Sequence, residues 1–128
     1  MTVSVAVVGA GFMGANHARV LSTLPGARLA VVIDHDPERA RRVAAEFGCY
    51  HGTSMKEAAG GVDAAIIATP TETHSDVALQ ALALGWHVLV EKPFAPSVRE
   101  AETLVAAADD AGRMLAVGHV ERFNPACL

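Results

Sequence analysis

The chain contains 128 residues, 52% of them hydrophobic and 19% charged, a balance that fits one compact domain and excludes a disordered or fibrous chain. Its net charge of −4 and its scattered basic residues argue against nucleic acid or a membrane surface as a partner. Its two cysteines, Cys49 and Cys127, have neither the spacing of metal ligands nor the density of a disulfide scaffold. We therefore expect no metal site, reduced thiols and a cytoplasmic protein.

Short apolar runs alternate along the chain with longer segments of helical periodicity, which predicts β-α-β units and a parallel sheet. The first run is too short for a signal peptide or a membrane span. Strands are predicted at residues 3–8, 28–34, 49–50, 63–68, 86–91 and 113–118, and helices at residues 12–24, 37–47, 54–59, 73–84 and 97–111. Right-handed crossovers favour a doubly wound α/β fold with six mainly parallel strands in the order 3-2-1-4-5-6, helices on both faces, and a ligand crevice where strands one and four end.

A glycine-rich run, GAGFMG at residues 9–14, follows the first predicted strand at once and opens the first helix. In a Rossmann fold, Gly9 would permit the tight turn, Gly11 would let the backbone approach a pyrophosphate, and Gly14 would let the helix pack closely on the sheet. A glycine-rich turn that binds no ligand has the same pattern, so the motif alone leaves both interpretations open. The predicted cofactor contacts at this turn are Gly9, Gly11, Phe12, Met13 and Gly14.

Asp34 ends the second predicted strand, 20 residues beyond Gly14, near the spacing at which a carboxylate reaches the adenosine ribose. A carboxylate there accepts from both ribose hydroxyls and repels a 2′-phosphate, so it favours NAD over NADP. Helix capping is the other role open to an aspartate here, and we assign it to Asp36, which precedes Pro37. Nearby guanidinium groups would tolerate a phosphate, but we expect them to form a solvated helix face; they belong to Arg39, Arg41 and Arg42.

Two later motifs follow the fourth and fifth predicted strands. The segment TPTETH occupies residues 69–74, and the tripeptide EKP occupies residues 91–93. Both lie at the crevice, because the carboxyl ends of parallel strands meet at one edge of the sheet. A glycine-rich first turn with an acidic second-strand end also occurs in methyltransferases that use S-adenosylmethionine, but methyl transfer would leave these two motifs without a role.

Taken with the glycine run, these motifs resemble the glucose–fructose oxidoreductase, inositol dehydrogenase and rhizopine-catabolism family, written Gfo/Idh/MocA. A further segment, residues 117–125, resembles the exit of strand six in members that act on nucleotide sugars or inositol. The resemblance covers the whole chain but only the family's N-terminal NAD(P)-binding domain, and it implies that the C-terminal substrate domain is absent. We therefore expect a single domain over residues 1–128, in which residues 119–128 start the connection to that missing domain.

The resemblance implies that Lys92 is the catalytic lysine, which hydrogen-bonds the hydroxyl being oxidised and helps to move its proton. An ordinary surface lysine is the alternative. Glu91 would face the nicotinamide ribose, and Pro93 would fix the backbone beyond Lys92. Thr69 and Pro70 would pass under the nicotinamide or its ribose.

Histidines and one arginine complete the set of candidate residues. His74 is counted with the cofactor contacts, although a bond to a loop carbonyl is the alternative. His17 is expected to pack beneath the glycine turn, without a chemical role. His119 and Arg122 are possible contacts for substrate or cofactor at the rim, and Trp86 is expected to anchor the core.

These predictions favour the cofactor domain of an NAD-dependent dehydrogenase that acts on a secondary alcohol of a sugar, cyclitol or nucleotide sugar. The alternative is a module that senses the cofactor without turnover, as in transcriptional control, although an intact EKP tripeptide argues against it. We expect a sugar-like substrate and a homo-oligomer, because apolar surface near Phe94, Phe123 and Leu128 would lack the partner domain. The chain alone is expected to bind NAD and to react poorly.

Overall fold

A single parallel sheet of six strands organises the chain in the computed structural model, which describes residues 2–92 and 94–118. The strands run in the order β3-β2-β1-β4-β5-β6, which confirms the predicted topology. Their bounds are Val3–Val8 (β1), Ala27–Ile33 (β2), Tyr50–Gly52 (β3), Ala64–Ile67 (β4), His87–Glu91 (β5) and Leu115–Gly118 (β6).

Five α-helices connect these strands in the described part of the chain. They are Phe12–Leu21 (α1), Pro37–Phe47 (α2), Met55–Ala58 (α3), His74–Ala83 (α4) and Val98–Ala111 (α5). The Asp36 side chain caps α2 by accepting from the N–H groups of Glu38 and Arg39, as predicted, with Pro37 in the first turn. Gly48 and Gly112 end α2 and α5 in the left-handed conformation, which glycine adopts without a steric penalty.

The first helix is shorter than the sequence predicts, because it ends at Leu21 instead of residue 24. The Ser22 hydroxyl donates to the carbonyl of Arg19 at 2.6 Å, and the Thr23 hydroxyl donates to the carbonyl of Val20 at 3.3 Å. Side-chain hydroxyls that bond nearby carbonyls compete with the helical ladder. The helical pattern of apolar residues therefore continues to Leu24, beyond Leu21, the last residue of the helix.

The sheet carries an apolar core on each face, because side chains alternate along every strand. Along β1, Ala6 and Val8 pack toward α4 and α5, whereas Val5 and Val7 pack toward α1 and α2. Trp86 is 1% exposed within the first of these cores, which confirms that it is buried. Helices therefore cover both faces of the sheet, and no helix among the described residues is long and apolar enough to cross a membrane.

Candidate functional site

The turn between β1 and α1 brings three backbone segments into close contact. Gly9 has φ +103°, and a Cβ on it would lie 2.5 Å from the Ala68 carbonyl oxygen at the end of β4. A Cβ on Gly14 would lie 1.7 Å from the Gly9 carbonyl oxygen. These two positions therefore require glycine for the fold itself.

Gly11 differs from its two neighbouring glycines, because a Cβ on it would meet no atom within 4 Å. It is the N-cap of α1, with no side-chain cap and no acidic residue in the first helical turn. The free N–H groups and the positive end of the helix dipole suit a pyrophosphate at this point. The turn thus fits the dinucleotide that the sequence predicts, with open space where its phosphates would lie.

A cleft of about 770 Å³ opens beside this turn, where β1, β2 and β4 end. Its volume falls in the usual range for small-molecule sites. Of the residues predicted from the sequence, the cleft is lined by Gly9, Gly11, Phe12, Met13, Asp34, Thr69 and Pro70. Sequence reasoning missed further lining residues, notably His35, Arg39, Thr53, Ser54 and Gln80. Thr53 and Ser54 follow β3, so the predicted strand order was the signal that could have located them.

Asp34 is 5% exposed at the end of β2. Its Oδ2 accepts from the Ala10 N–H at 2.7 Å, and its Oδ1 accepts from the Asp36 N–H at 2.9 Å. Burial alone would raise the pKa of Asp34, but hydrogen bonds from Arg39 and from these two N–H groups outweigh it and lower the pKa below its ordinary value. An ionised acceptor therefore stands at the cleft, as recognition of ribose hydroxyls requires.

Arg39 lies against Asp34, which corrects the prediction that it belongs to a solvated helix face. Its Nε is 3.1 Å from Oδ2 and its Nη2 is 2.9 Å from Oδ1, a bidentate pair between two planar groups. Arg41 does follow the predicted pattern, because it is exposed and pairs with Glu38 on the helix surface. The guanidinium that lines the cleft is thus already bound by the predicted ribose carboxylate.

The segment after β4 forms a tight turn over one wall of the cleft. The Thr73 hydroxyl lies 2.6 Å from the Pro70 carbonyl oxygen and 2.8 Å from Oγ1 of Thr69. His74 is 1% exposed, and its Nε2 donates to the Thr69 carbonyl at 2.8 Å. The structure therefore places His74 behind the turn, where it makes the carbonyl bond considered above and does not line the cleft.

At the end of β5, two adjacent predicted residues have different surroundings. Glu91 is 7% exposed, and its carboxylate hydrogen-bonds Nε2 of His17 on α1 instead of lining the cleft. Lys92 is exposed just beyond the strand. A contact between Glu91 and the nicotinamide ribose stays a prediction, and Pro93, His119 and Arg122 lie outside the described residues.

Within residues 2–92 and 94–118, no three or more His, Cys, Asp or Glu side chains are grouped so that they could hold a metal ion.

The strand order, the glycine turn and the buried carboxylate together define a dinucleotide-binding domain of the Rossmann class. Residues 3–119 match the sequence model of GFO_IDH_MocA, the oxidoreductase family with an NAD-binding Rossmann fold. The chain belongs to this family, as its motifs predict, and NAD is the cofactor by which the family's domain is described.

Curated relatives include two dehydrogenases of different substrates. UDP-N-acetylglucosamine 3-dehydrogenase from Acidithiobacillus ferrooxidans is 41% identical over 120 residues, which cover 94% of this chain and 38% of that protein. Inositol 2-dehydrogenase 4 from Saccharopolyspora erythraea is 43% identical over 126 residues, which cover 94% of this chain and 37% of that protein. The chain thus spans less than two fifths of the length of these relatives.

Two solved structures of similar proteins also cover more than nine tenths of this chain. The Acidithiobacillus ferrooxidans UDP-N-acetylglucosamine 3-dehydrogenase superposes with a TM-score of 0.93 at 38% identity, over 99% of this chain and 42% of that one. GenD2 from gentamicin A biosynthesis, solved in complex with NAD, has a TM-score of 0.88 at 42% identity, over 91% of this chain and 34% of that one.

Proposed function

We propose that this chain is the cofactor-binding part of an NAD-dependent dehydrogenase that acts on a secondary alcohol of a sugar, cyclitol or nucleotide sugar. The observation that carries the proposal is the cleft that joins the open Gly11 position to the buried Asp34 carboxylate. The substrate class is supported by the two curated relatives described above, which are dehydrogenases of UDP-N-acetylglucosamine and of inositol.

Each part of the site has a separate task in this reaction. When bound, NAD supplies the hydride acceptor. The free N–H groups at the start of α1 bind the pyrophosphate, and Asp34 accepts from the adenosine ribose hydroxyls. Lys92, which is exposed just beyond the end of β5, hydrogen-bonds the substrate hydroxyl and assists the movement of its proton. The neighbouring parallel strand β4 is followed by Thr69, which lines the cleft. Lys92 and this wall of the cleft therefore lie at the same end of the sheet, where the carboxyl ends of β4 and β5 meet.

Self-association is also part of the proposal. Of the residues expected to expose apolar surface, Phe94 is partly buried against the core, and Phe123 and Leu128 lie outside the described residues. Apolar side chains are instead exposed at the start of α5 and ahead of β6, with Val98 at 74% and Met114 at 72%. Exposed apolar surface favours contacts between copies. Sedimentation equilibrium tests this expectation, and a strict monomer at micromolar concentration would contradict it.

Calorimetric titration with NAD and NADP tests the cofactor assignment. We expect the natural chain to bind NAD more tightly, because Asp34 accepts from the ribose and repels a 2′-phosphate. Asp34→Ala should weaken NAD binding by about tenfold or more, since hydrogen bonds to a charged group contribute about 1.5–3 kcal/mol. The same change frees Arg39, whose guanidinium would then pair with the phosphate of NADP.

Asp36→Ala is the matched control, because Asp36 is an aspartate two residues away that caps α2. Loss of the cap should lower stability by about 1 kcal/mol and leave the NAD-to-NADP affinity ratio unchanged. Equal affinity of the natural chain for both dinucleotides would defeat the assignment.

A further inference from the structure

His17 and Glu91 form a hydrogen-bonded pair between residues 74 positions apart in sequence. His17 lies in α1, the helix that follows the glycine turn, and Glu91 is the last residue of β5. Both side chains are largely shielded from water, with 20% of the His17 side chain and 9% of the Glu91 side chain exposed. The pair therefore ties the cofactor-binding helix to the strand that ends beside Lys92.

The alternation of side chains along β5 explains why this pair forms. Val88 and Val90 join the core beneath α4 and α5, whereas Leu89 packs against the core beneath α1 and α2. Glu91 is two residues beyond Leu89, so it shares the face that α1 covers. Lys92 follows as the first residue beyond the strand and is exposed.

The helix side of the pair is fixed by the same geometry. His17 is three residues after Gly14, so both lie on the α1 face that packs against the sheet. Gly14 is buried there, in close approach to the Gly9 carbonyl. Any shift of His17 relative to the sheet would therefore move the helix that follows the glycine turn.

Glu91 also occupies space that the neighbouring strand leaves open. Gly118 pairs with Glu91 in the β5–β6 register, and a Cβ on Gly118 would lie 3.3 Å from the Glu91 carboxylate. A buried carboxylate costs free energy unless it is hydrogen-bonded, and His17 supplies that donor. The sequence thus keeps a carboxylate, a donor and a small residue together at the end of β5.

We propose that His17 is a positioning residue, which acts through Glu91 to fix the end of β5 and hence the place of Lys92 relative to the glycine turn. The assignment rests on the proposed function only for the chemical role of Lys92. Small displacements of a catalytic group slow a reaction, so a hydrogen bond that fixes the place of Lys92 would affect the reaction rate as well as stability.

The chain offers a direct test, because Lys56 and Lys92 are its two lysines. Reductive methylation with ¹³C-formaldehyde labels both side chains and the α-amino group, and Lys56→Arg assigns the lysine signals. In the cofactor-free chain, His17→Ala should shift the Lys92 methyl resonance and leave that of Lys56 in place. His17→Gln, which keeps a donor at the corresponding position, should return the Lys92 resonance toward its natural position.

Two further variants keep the test decisive if His17→Ala fails to fold. Glu91→Leu fills the space without an acceptor and should shift the Lys92 resonance, whereas Glu91→Gln keeps an acceptor and should preserve it. His51→Ala is the control histidine, since it lies on β3 away from this pair. A lower melting temperature with an unchanged Lys92 resonance would overturn the proposal, as would equal shifts of both lysines or a shift caused by His51→Ala.

Calorimetry with NAD on the same samples separates the two ideas. If the natural chain fails to bind NAD while His17→Ala still shifts Lys92, the proposed function fails and the positioning role stands. If NAD binds and His17→Ala leaves the Lys92 resonance unchanged, only the positioning role is wrong.

Discussion

Asp34 accepts four hydrogen bonds from its own chain, and the hydroxyls of a bound ribose would replace the two from Arg39. Its two oxygens accept from the N–H groups of Ala10 and Asp36 and from two nitrogens of Arg39. Because a buried carboxylate is costly without partners, these donors offset the loss of water. One residue therefore holds the glycine turn, the start of α2 and a guanidinium while it faces the cleft.

The depressed pKa of Asp34 predicts how stability depends on pH. Since the folded pKa lies below the ordinary value of 3.8, ionised Asp34 stabilises the fold above that value and this contribution is lost as the pH falls through the folded pKa. Arg39 and His35 are the charged or titratable side chains paired with the carboxylate. Asp34→Asn should destabilise the chain by about 1–3 kcal/mol at pH 7 and by progressively less below about pH 4.

Urea unfolding of both chains between pH 7 and pH 3 measures this difference. Asp110→Asn, on the exposed surface of α5, is the control. A stability difference for Asp34→Asn that stays constant or grows in acid would contradict the account.

The spacing from the glycine run predicted the position of Asp34, but the sequence pattern did not predict its contact with Arg39. Arg39 looked like part of a polar helix surface, because helical periodicity says nothing about contacts with the loop before the helix. The Glu91 orientation was accessible in principle, since two-residue alternation places it with Leu89 beneath α1.

Within the glycine turn and the start of α1, the glycines differ in how well they tolerate an added side chain. Gly14→Ala places a methyl group 1.7 Å from the Gly9 carbonyl oxygen, so the backbone must move. We expect a loss of about 3 kcal/mol or more, at or beyond the upper end of ordinary overpacking. Gly11→Ala meets open space and should cost less than about 1 kcal/mol, the scale of a weaker N-cap.

Denaturant midpoints of the two alanine variants measure this contrast. Equal destabilisation by both, or a stable Gly14→Ala, would show that the close approach at the turn is wrong.

Element ends were harder to predict than the elements themselves. The third strand was predicted at residues 49–50 and lies at Tyr50–Gly52, because a three-residue edge strand leaves almost no periodic signal. The end of α1 depends on hydroxyl-to-carbonyl bonds of Ser22 and Thr23, which hydrophobic periodicity does not encode. By contrast, Asp36, Pro37 and Gly48 gave the bounds of α2 correctly, since caps are local chemistry.

At the scale of the whole molecule, the strand order followed from periodicity and the right-handed crossover, neither of which needs atomic detail. The reversal of order between β1 and β4 then placed the cleft. The cleft's full lining was not predictable, because it collects residues from four separate connections. The chain also matches less than two fifths of the length of these two relatives, so most of their sequence has no counterpart in it.

We expect this cleft to bind NAD with its pyrophosphate at the open Gly11 position, and calorimetric titration of the natural chain and of Gly11→Val with NAD measures that binding. Gly11 has a negative φ of −78°, and a Cβ on it meets no atom within 4 Å, so the variant should fold while its side chain fills the phosphate space. We predict one-to-one binding by the natural chain and a loss of at least about tenfold in Gly11→Val, equivalent to ~1.4 kcal/mol. No binding by the natural chain, or unchanged affinity in a folded Gly11→Val, would contradict the claim.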